Sequence, residues 1–103
     1  MTKNEKREHG DVLYEAILTL KDLEECKKFF SDLCTVAELR AMEQRFEVAL
    51  LLSDGMIYND ILERTGASSA TISRVNRSLN YGAEGYTTVL PRAKEKLKAD
   101  GKL

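Results

Sequence analysis

Proline is nearly absent: Pro91 is the only one in 103 residues. Such a chain suits long helices, because proline removes a backbone donor and clashes with the preceding turn. Tryptophan is missing. Cysteine is scarce. Cys26 and Cys34 lie eight residues apart with no histidine near them, which is not a zinc spacing. They read as reduced thiols in the core or an interface of a cytosolic protein. The single histidine, His9, sits in a polar N-terminal segment expected to fray. With no glycine-rich phosphate loop, no metal-ligand cluster and no nucleophile motif, the sequence points away from an enzyme. No apolar run reaches the roughly 18 residues that a membrane span needs. The opening MTKNEKREHGD lacks the apolar stretch of a signal peptide, so the expected location is cytoplasmic.

What is present is an ordinary apolar share, 43%, in one domain's length of chain. Charge is nearly balanced, at −1, but unevenly placed. Residues 1–63 hold 8 basic and 14 acidic side chains, and residues 64–103 hold 8 basic and 3 acidic. The C-terminal part is therefore basic. Two readings stand here: a face that attracts phosphate, or a solvated tail carrying Lys94, Lys96, Lys98 and Lys102.

Apolar spacing is helical throughout, and no segment alternates as a strand would. A first helix is expected over about Asp11–Leu20, with Leu13, Ile17 and Leu20 on one stripe. A second opens at Asp22, with Glu25 three residues on. Thr35-Val36-Ala37-Glu38 reads as a capping box opening a third helix, whose stripe is Leu39, Met42, Phe46, Ala49 and Leu50. Asp54-Gly55 ends it. Short helices follow over about Tyr58–Thr65 and Ser69–Leu79, and a last one over about 88–99, with Pro91 placed in its first turn. The fold class is all-α, with six helices in a single domain: 11–54, 58–80 and 88–99. A lone chain would struggle to cover Phe29, Phe30, Phe46, Leu50, Leu51 and Leu52. The first three helices are therefore expected to be completed by a second subunit.

The informative stretch is Ile61 to Val75, within a helix-turn-helix expected over about Asn59–Leu79. Gly66 permits a tight turn, Ala67 lets two helices approach, and Ser68 sits where an N-cap is wanted. Ile72, Val75 and Leu79 give the second helix a buried stripe. Its other face holds Ser69, Ala70, Ser73, Arg74 and Arg77. No acidic residue occurs from Arg64 through Arg77. Such a face can enter a major groove. Hydroxyls approach base edges or phosphates, Ala70 can touch a thymine methyl, and arginines bind guanine or phosphate. The helix N-terminus favours a nearby phosphate. The expected DNA-binding residues are Arg64, Ser68, Ser69, Ala70, Thr71, Ser73, Arg74 and Arg77. The alternative is a helical protein-interaction module in which the helix-turn-helix is only a scaffold.

Leu39-Arg40-Ala41, Arg45, Gly55, Gly66-Ala67, Ala70-Thr71-Ile72-Ser73-Arg74 and Ser78-Leu79, taken together, resemble the Trp repressor family. The resemblance is closest to the small Trp-repressor-like regulators of the YerC/YecD type, and it runs from about Leu33 to Leu79. It implies an interlocked all-helical homodimer with two recognition helices one DNA turn apart, roughly 34–36 Å, on a palindromic operator. That spacing comes with the resemblance, the Trp repressor being one of the proteins it describes. It also implies a transcriptional repressor with an amino-acid corepressor pocket at Thr35, Arg45, Arg74 and Ser78, the two arginines sandwiching an indole. Val75 departs from the pattern, which has glycine after the second arginine. Its branched side chain would intrude where the ligand lies close to the backbone. The segment between Gly55 and Gly66 is also one residue shorter. Both departures point away from tryptophan, towards a smaller or different amino acid such as histidine, or towards no ligand. Without a ligand, Arg45 would pair with Glu38 or Glu43, and Arg74 would contact phosphate.

Overall fold

In the computed structural model, which describes the backbone from Lys3 to Leu103 and side chains from Gly10 onward, every regular element is a helix. These are α1 (Lys3–Ile17), α2 (Leu23–Leu33), α3 (Val36–Ser53), α4 (Tyr58–Thr65), α5 (Ser69–Tyr81) and α6 (Gly85–Ala99). Two compact units divide the chain, residues 1–39 and 40–103, with α3 continuous through the division.

In the first unit the helix ends follow the local chemistry of the sequence. The Asp22 carboxylate accepts from the Glu25 N–H at 2.8 Å, and the Glu25 carboxylate accepts from the Lys21 N–H at 3.1 Å. Thr35 and Glu38 form the full reciprocal box. The threonine hydroxyl accepts from the Glu38 N–H at 3.1 Å, and the glutamate accepts from the Thr35 N–H at 2.8 Å. Those bonds, led by the one from the backbone amide and followed by the Thr35 side chain, hold the Glu38 carboxyl below the usual carboxylate range. Phe29 and Phe30 meet edge to face, with centroids 5.5 Å apart. No side chain from Gly10 to Leu39 is buried, and Leu18 and Val36 are 78% and 68% exposed.

The second unit holds the core. Val48 and Ala49 of α3, Ile61 of α4, Ala67 of the turn, Ile72 and Val75 of α5 and Leu90 of α6 are buried together. Phe46, Leu50, Leu51, Leu52, Met56, Leu62, Leu79 and Tyr86 pack around them. Gly55, at φ 86°, closes α3. Its N–H reaches the Leu52 carbonyl, and the Met56 N–H reaches the Leu51 carbonyl, the paired bonds that finish a helix in the left-handed region. Lys94 of α6 meets Asp54 at 2.7 Å, fastening the last helix to that corner.

Four helix ends differ from the sequence expectation. The first helix starts at Lys3 and stops at Ile17, not Asp11 and Leu20. Its opening residues are good helix formers without an apolar stripe, so periodicity alone does not find them. At its end, Thr19 turns its hydroxyl onto the Ala16 carbonyl at 2.6 Å, and the Leu20 N–H takes the Ile17 carbonyl. The fifth helix runs on to Tyr81. The sixth starts at Gly85, so Pro91 lies in its second turn rather than its first. Two bonds hold the start of this helix. The Thr88 N–H and the Thr87 hydroxyl both reach the Glu84 carbonyl, at 3.1 and 3.0 Å.

Candidate nucleic-acid interface

The geometry of the interface begins at Gly66. It ends α4 in the left-handed conformation, φ 71° and ψ 6°, with its N–H on the Leu62 carbonyl at 3.0 Å. A residue with a Cβ pays a steric penalty there, and glycine does not. Thr65 secures the turn from both sides. Its hydroxyl donates to the Ile61 carbonyl at 2.7 Å and accepts from the Ala67 N–H at 3.1 Å. Gln44 of α3 adds an amide bond to the Thr65 carbonyl at 3.3 Å. Ala67, buried between the helices, leaves room for their close approach.

Ser68 then caps α5. Its hydroxyl oxygen accepts from the Thr71 N–H at 3.1 Å and lies 3.0 Å from the Thr71 hydroxyl. Ile72 and Val75 turn inward and are buried, with Leu79 packed beside them. The helical period then fixes what turns outward. Ser69, Ala70, Ser73, Arg74 and Arg77 are exposed on the opposite side of α5. Arg64 is exposed in the last turn of α4, where a cation complements the helix dipole. Thr71 is half-buried, and its hydroxyl is engaged with the cap. Among the described residues, no carboxylate pairs with Arg64, Arg74 or Arg77. The acid-free run of sequence extends to Ala83. The face is thus cationic, with a level surface of hydroxyls and a methyl at its N-terminal end.

Of the residues carried over to an effector pocket, Thr35 stands in the first unit with its hydroxyl in the capping box. In the second unit Arg45 is half-buried, Arg74 exposed and Ser78 exposed. Ser78 borders a cleft. That cleft has a volume of about 390 Å³, and its other walls are Phe46, Ala83, Gly85, Tyr86 and Val89. The Phe46 and Tyr86 rings are 6.5 Å apart at 37°. Arg45 makes no ion pair with Glu38 or Glu43 among the described residues; the Glu38 carboxylate is engaged at Thr35. Val75 is 2% exposed and belongs to the core. Its side chain packs inward among the buried residues, while Arg74, the preceding residue, is exposed.

A second group escaped sequence reasoning. Tyr58 of α4 and Asn76, Asn80 and Tyr81 of α5 line a groove together with Ser73 and Arg77. The i, i+4 spacing of Asn76 and Asn80 was the available signal, but isolated amides on a polar face carry no pattern distinct from ordinary solvated surface.

Comparison with known proteins agrees with this geometry. Residues 8–94 match the family model described as Trp repressor protein. The chain is 55% identical over 85 residues to YerC of Bacillus subtilis, itself described as uncharacterized, covering 82% of each sequence. A crystal structure from Staphylococcus aureus, described provisionally as a Trp repressor, superimposes with a TM-score of 0.81 at 46% identity, covering 91% of this chain and 96% of that one. A TrpR-like protein from Eubacterium eligens gives 0.82 at 52% identity, covering 90% and 96%.

Proposed function

The chain belongs to the Trp repressor family, whose members are DNA-binding regulators rather than enzymes, and from that premise we propose that it is a homodimeric cytoplasmic repressor reading a palindromic operator with α5. One observation carries the reading. The turn at Gly66 and the cap at Ser68 fix α5 so that its apolar stripe is buried and Ser69, Ala70, Ser73, Arg74 and Arg77 stand free. Arg74 and Arg77 supply charge for phosphate or guanine. The short side chains near the helix start permit close approach to base edges, directly or through water. Ser68, Thr71 and Arg64 support this face, the first two by holding the helix start. Repression would follow from occupying DNA that polymerase must enter.

The second copy is inferred from the first unit. Leu18, Leu23, Leu33 and Val36 are exposed there, and α2 buries none of its residues. Surface of that kind is normally covered in assembly. Light scattering at micromolar concentration should return twice the chain mass, and a monomer would count against the dimer. As to effectors, Val75 speaks against tryptophan. The regulator responds to another amino acid at Arg45, Arg74 and Ser78, with Thr35 contributing, or it works without one.

The deciding experiment is a pull-down of genomic fragments with purified protein, with and without the twenty amino acids. Enrichment of a palindrome is expected. Dependence on one amino acid would name the effector, and enrichment without it would give an effector-independent regulator. Absence of enrichment at low salt would refute the reading and favour a protein-interaction module. Binding should also weaken steeply with salt as counterions are released.

A further inference from the structure

A groove lies on the flank of α5, beside the face described above, and shares Ser73 and Arg77 with it. Its volume is about 560 Å³, and its walls are Tyr58, Ser73, Asn76, Arg77, Asn80 and Tyr81. Three hydroxyls, two amides and one guanidinium line it, and no carboxylate does. All but Tyr58 come from one side of α5, at steps of three and four residues, so they form two adjacent rows along the helix. Ser73, Arg77 and Tyr81 make one row. Ser73, Asn76 and Asn80 make the other.

The amides are internally oriented. The Asn80 side-chain nitrogen donates to the Asn76 backbone carbonyl at 2.9 Å and to the Asn76 side-chain oxygen at 3.3 Å. That fixes the oxygen of Asn76 towards Asn80 and leaves its NH₂ as a donor. Tyr81 is 86% exposed and lies in the last turn of α5. Its ring contributes little to the fold, so its presence there needs another reason. The groove shares Ser73 and Arg77 with the exposed face of α5, so whatever lies on that face continues into it.

We infer that this groove holds a phosphodiester segment of the DNA backbone, with Arg77 as the charged anchor. Tyr58, Asn76 and Tyr81 serve as neutral donors, and the Tyr81 ring covers the adjacent sugar. The inference rests on the DNA-binding reading and deepens it. Contact runs the whole length of α5 and onto the first turn of α4, not only over the N-terminal half of the recognition helix. Donors to phosphate position a protein without reading sequence. The groove therefore sets affinity and register, while Ser69 and Ala70 lie where sequence is read.

The test is fluorescence anisotropy on two short duplexes, an enriched operator and its scrambled version, across a salt series. The variants are Tyr58→Phe, Tyr81→Ala, Asn76→Ala and Arg77→Ala. Because Tyr81 is exposed, its truncation leaves the fold intact, and a circular-dichroism melt checks this. Each neutral variant is expected to weaken binding to both duplexes by a similar factor, on the order of tenfold per subunit for a lost bond to a charged acceptor and so roughly a hundredfold for the dimer. The slope of log affinity against log salt should stay unchanged in these variants. Arg77→Ala removes one phosphate contact from each half of the dimer, so it should lower that slope by about 1.8, twice the roughly 0.9 of one phosphate. If Tyr58→Phe, Tyr81→Ala and Asn76→Ala all bind like wild type while Arg74→Ala does not, the groove assignment fails and the DNA reading stands. If wild type binds neither duplex at low salt, both fail.

Discussion

Substituting Val75 with glycine restores the family pattern after Arg74 and removes a side chain that is only 2% exposed. Two contributions set the cost. Returning a buried valine side chain to nothing forfeits about 1.5–3 kcal/mol of burial, and the surrounding Ile61, Ile72 and Leu90 can only partly close the gap. Glycine within a helix adds a few tenths of a kcal/mol relative to valine. The expected loss is about 2–4 kcal/mol, from a total that for a chain of this size is roughly 5–15 kcal/mol. At about 4–8 °C per kcal/mol the melting temperature should fall by roughly 8–30 °C. The assay is a helix-signal melt at fixed protein concentration, with Ser73→Gly as the control. Ser73 is exposed on the same helix, so that control carries the glycine penalty alone, about 0.5 kcal/mol. If Val75→Gly costs no more than Ser73→Gly, Val75 is not part of the core.

Ser68→Ala should cost about 1 kcal/mol and Ser68→Asn much less, because asparagine keeps an acceptor for the Thr71 N–H; urea midpoints compare them. The Glu38 carboxyl is held below its usual range by the Thr35 amide and then by the Thr35 side chain. A depressed carboxylate pKa contributes stability above the unfolded value and loses it as pH falls through the folded one. Wild type and Glu38→Gln should thus differ by a constant amount near neutrality and converge in acid, as urea midpoints over a pH series will show. The Lys94–Asp54 pair, with its lysine a quarter exposed and its carboxylate nearly half exposed, should give a double-mutant coupling of about 1 kcal/mol or less that shrinks at high salt. Gly66→Ala meets nothing within 4 Å, so its cost should be the left-handed penalty alone, about 1–2 kcal/mol, measurable by thermal melt.

The parts legible in the sequence were those where one residue type answers one local demand. Glycine at 55 and 66, serine at 68, and the Thr35–Glu38 pair each satisfy a backbone group or a φ angle that few residues satisfy. The stripe Ile72, Val75 and Leu79 was likewise legible, because burial imposes a period. What was hidden follows from the same logic. Lys3–Gly10 is helical without a stripe, so no period announces it. Pro91 in a first turn is the commoner arrangement, and only the Thr87 and Thr88 bonds to Glu84 show how α6 starts earlier. Asn76, Asn80, Tyr58 and Tyr81 come together only once α4 and α5 are packed, and a one-dimensional pattern has no term for that.

The open apolar surface of α1 and α2 has a consequence for control. If the proposed pair forms by covering that surface, it assembles in proportion to the square of the free chain concentration while the chain is dilute, and occupancy of a sparsely filled operator would rise with that square. Its thermal midpoint then moves with concentration too. Halving synthesis would empty a site to about a quarter of its former occupancy in that regime, with no small molecule involved. The rate at which the cell makes the chain would then become a signal in itself.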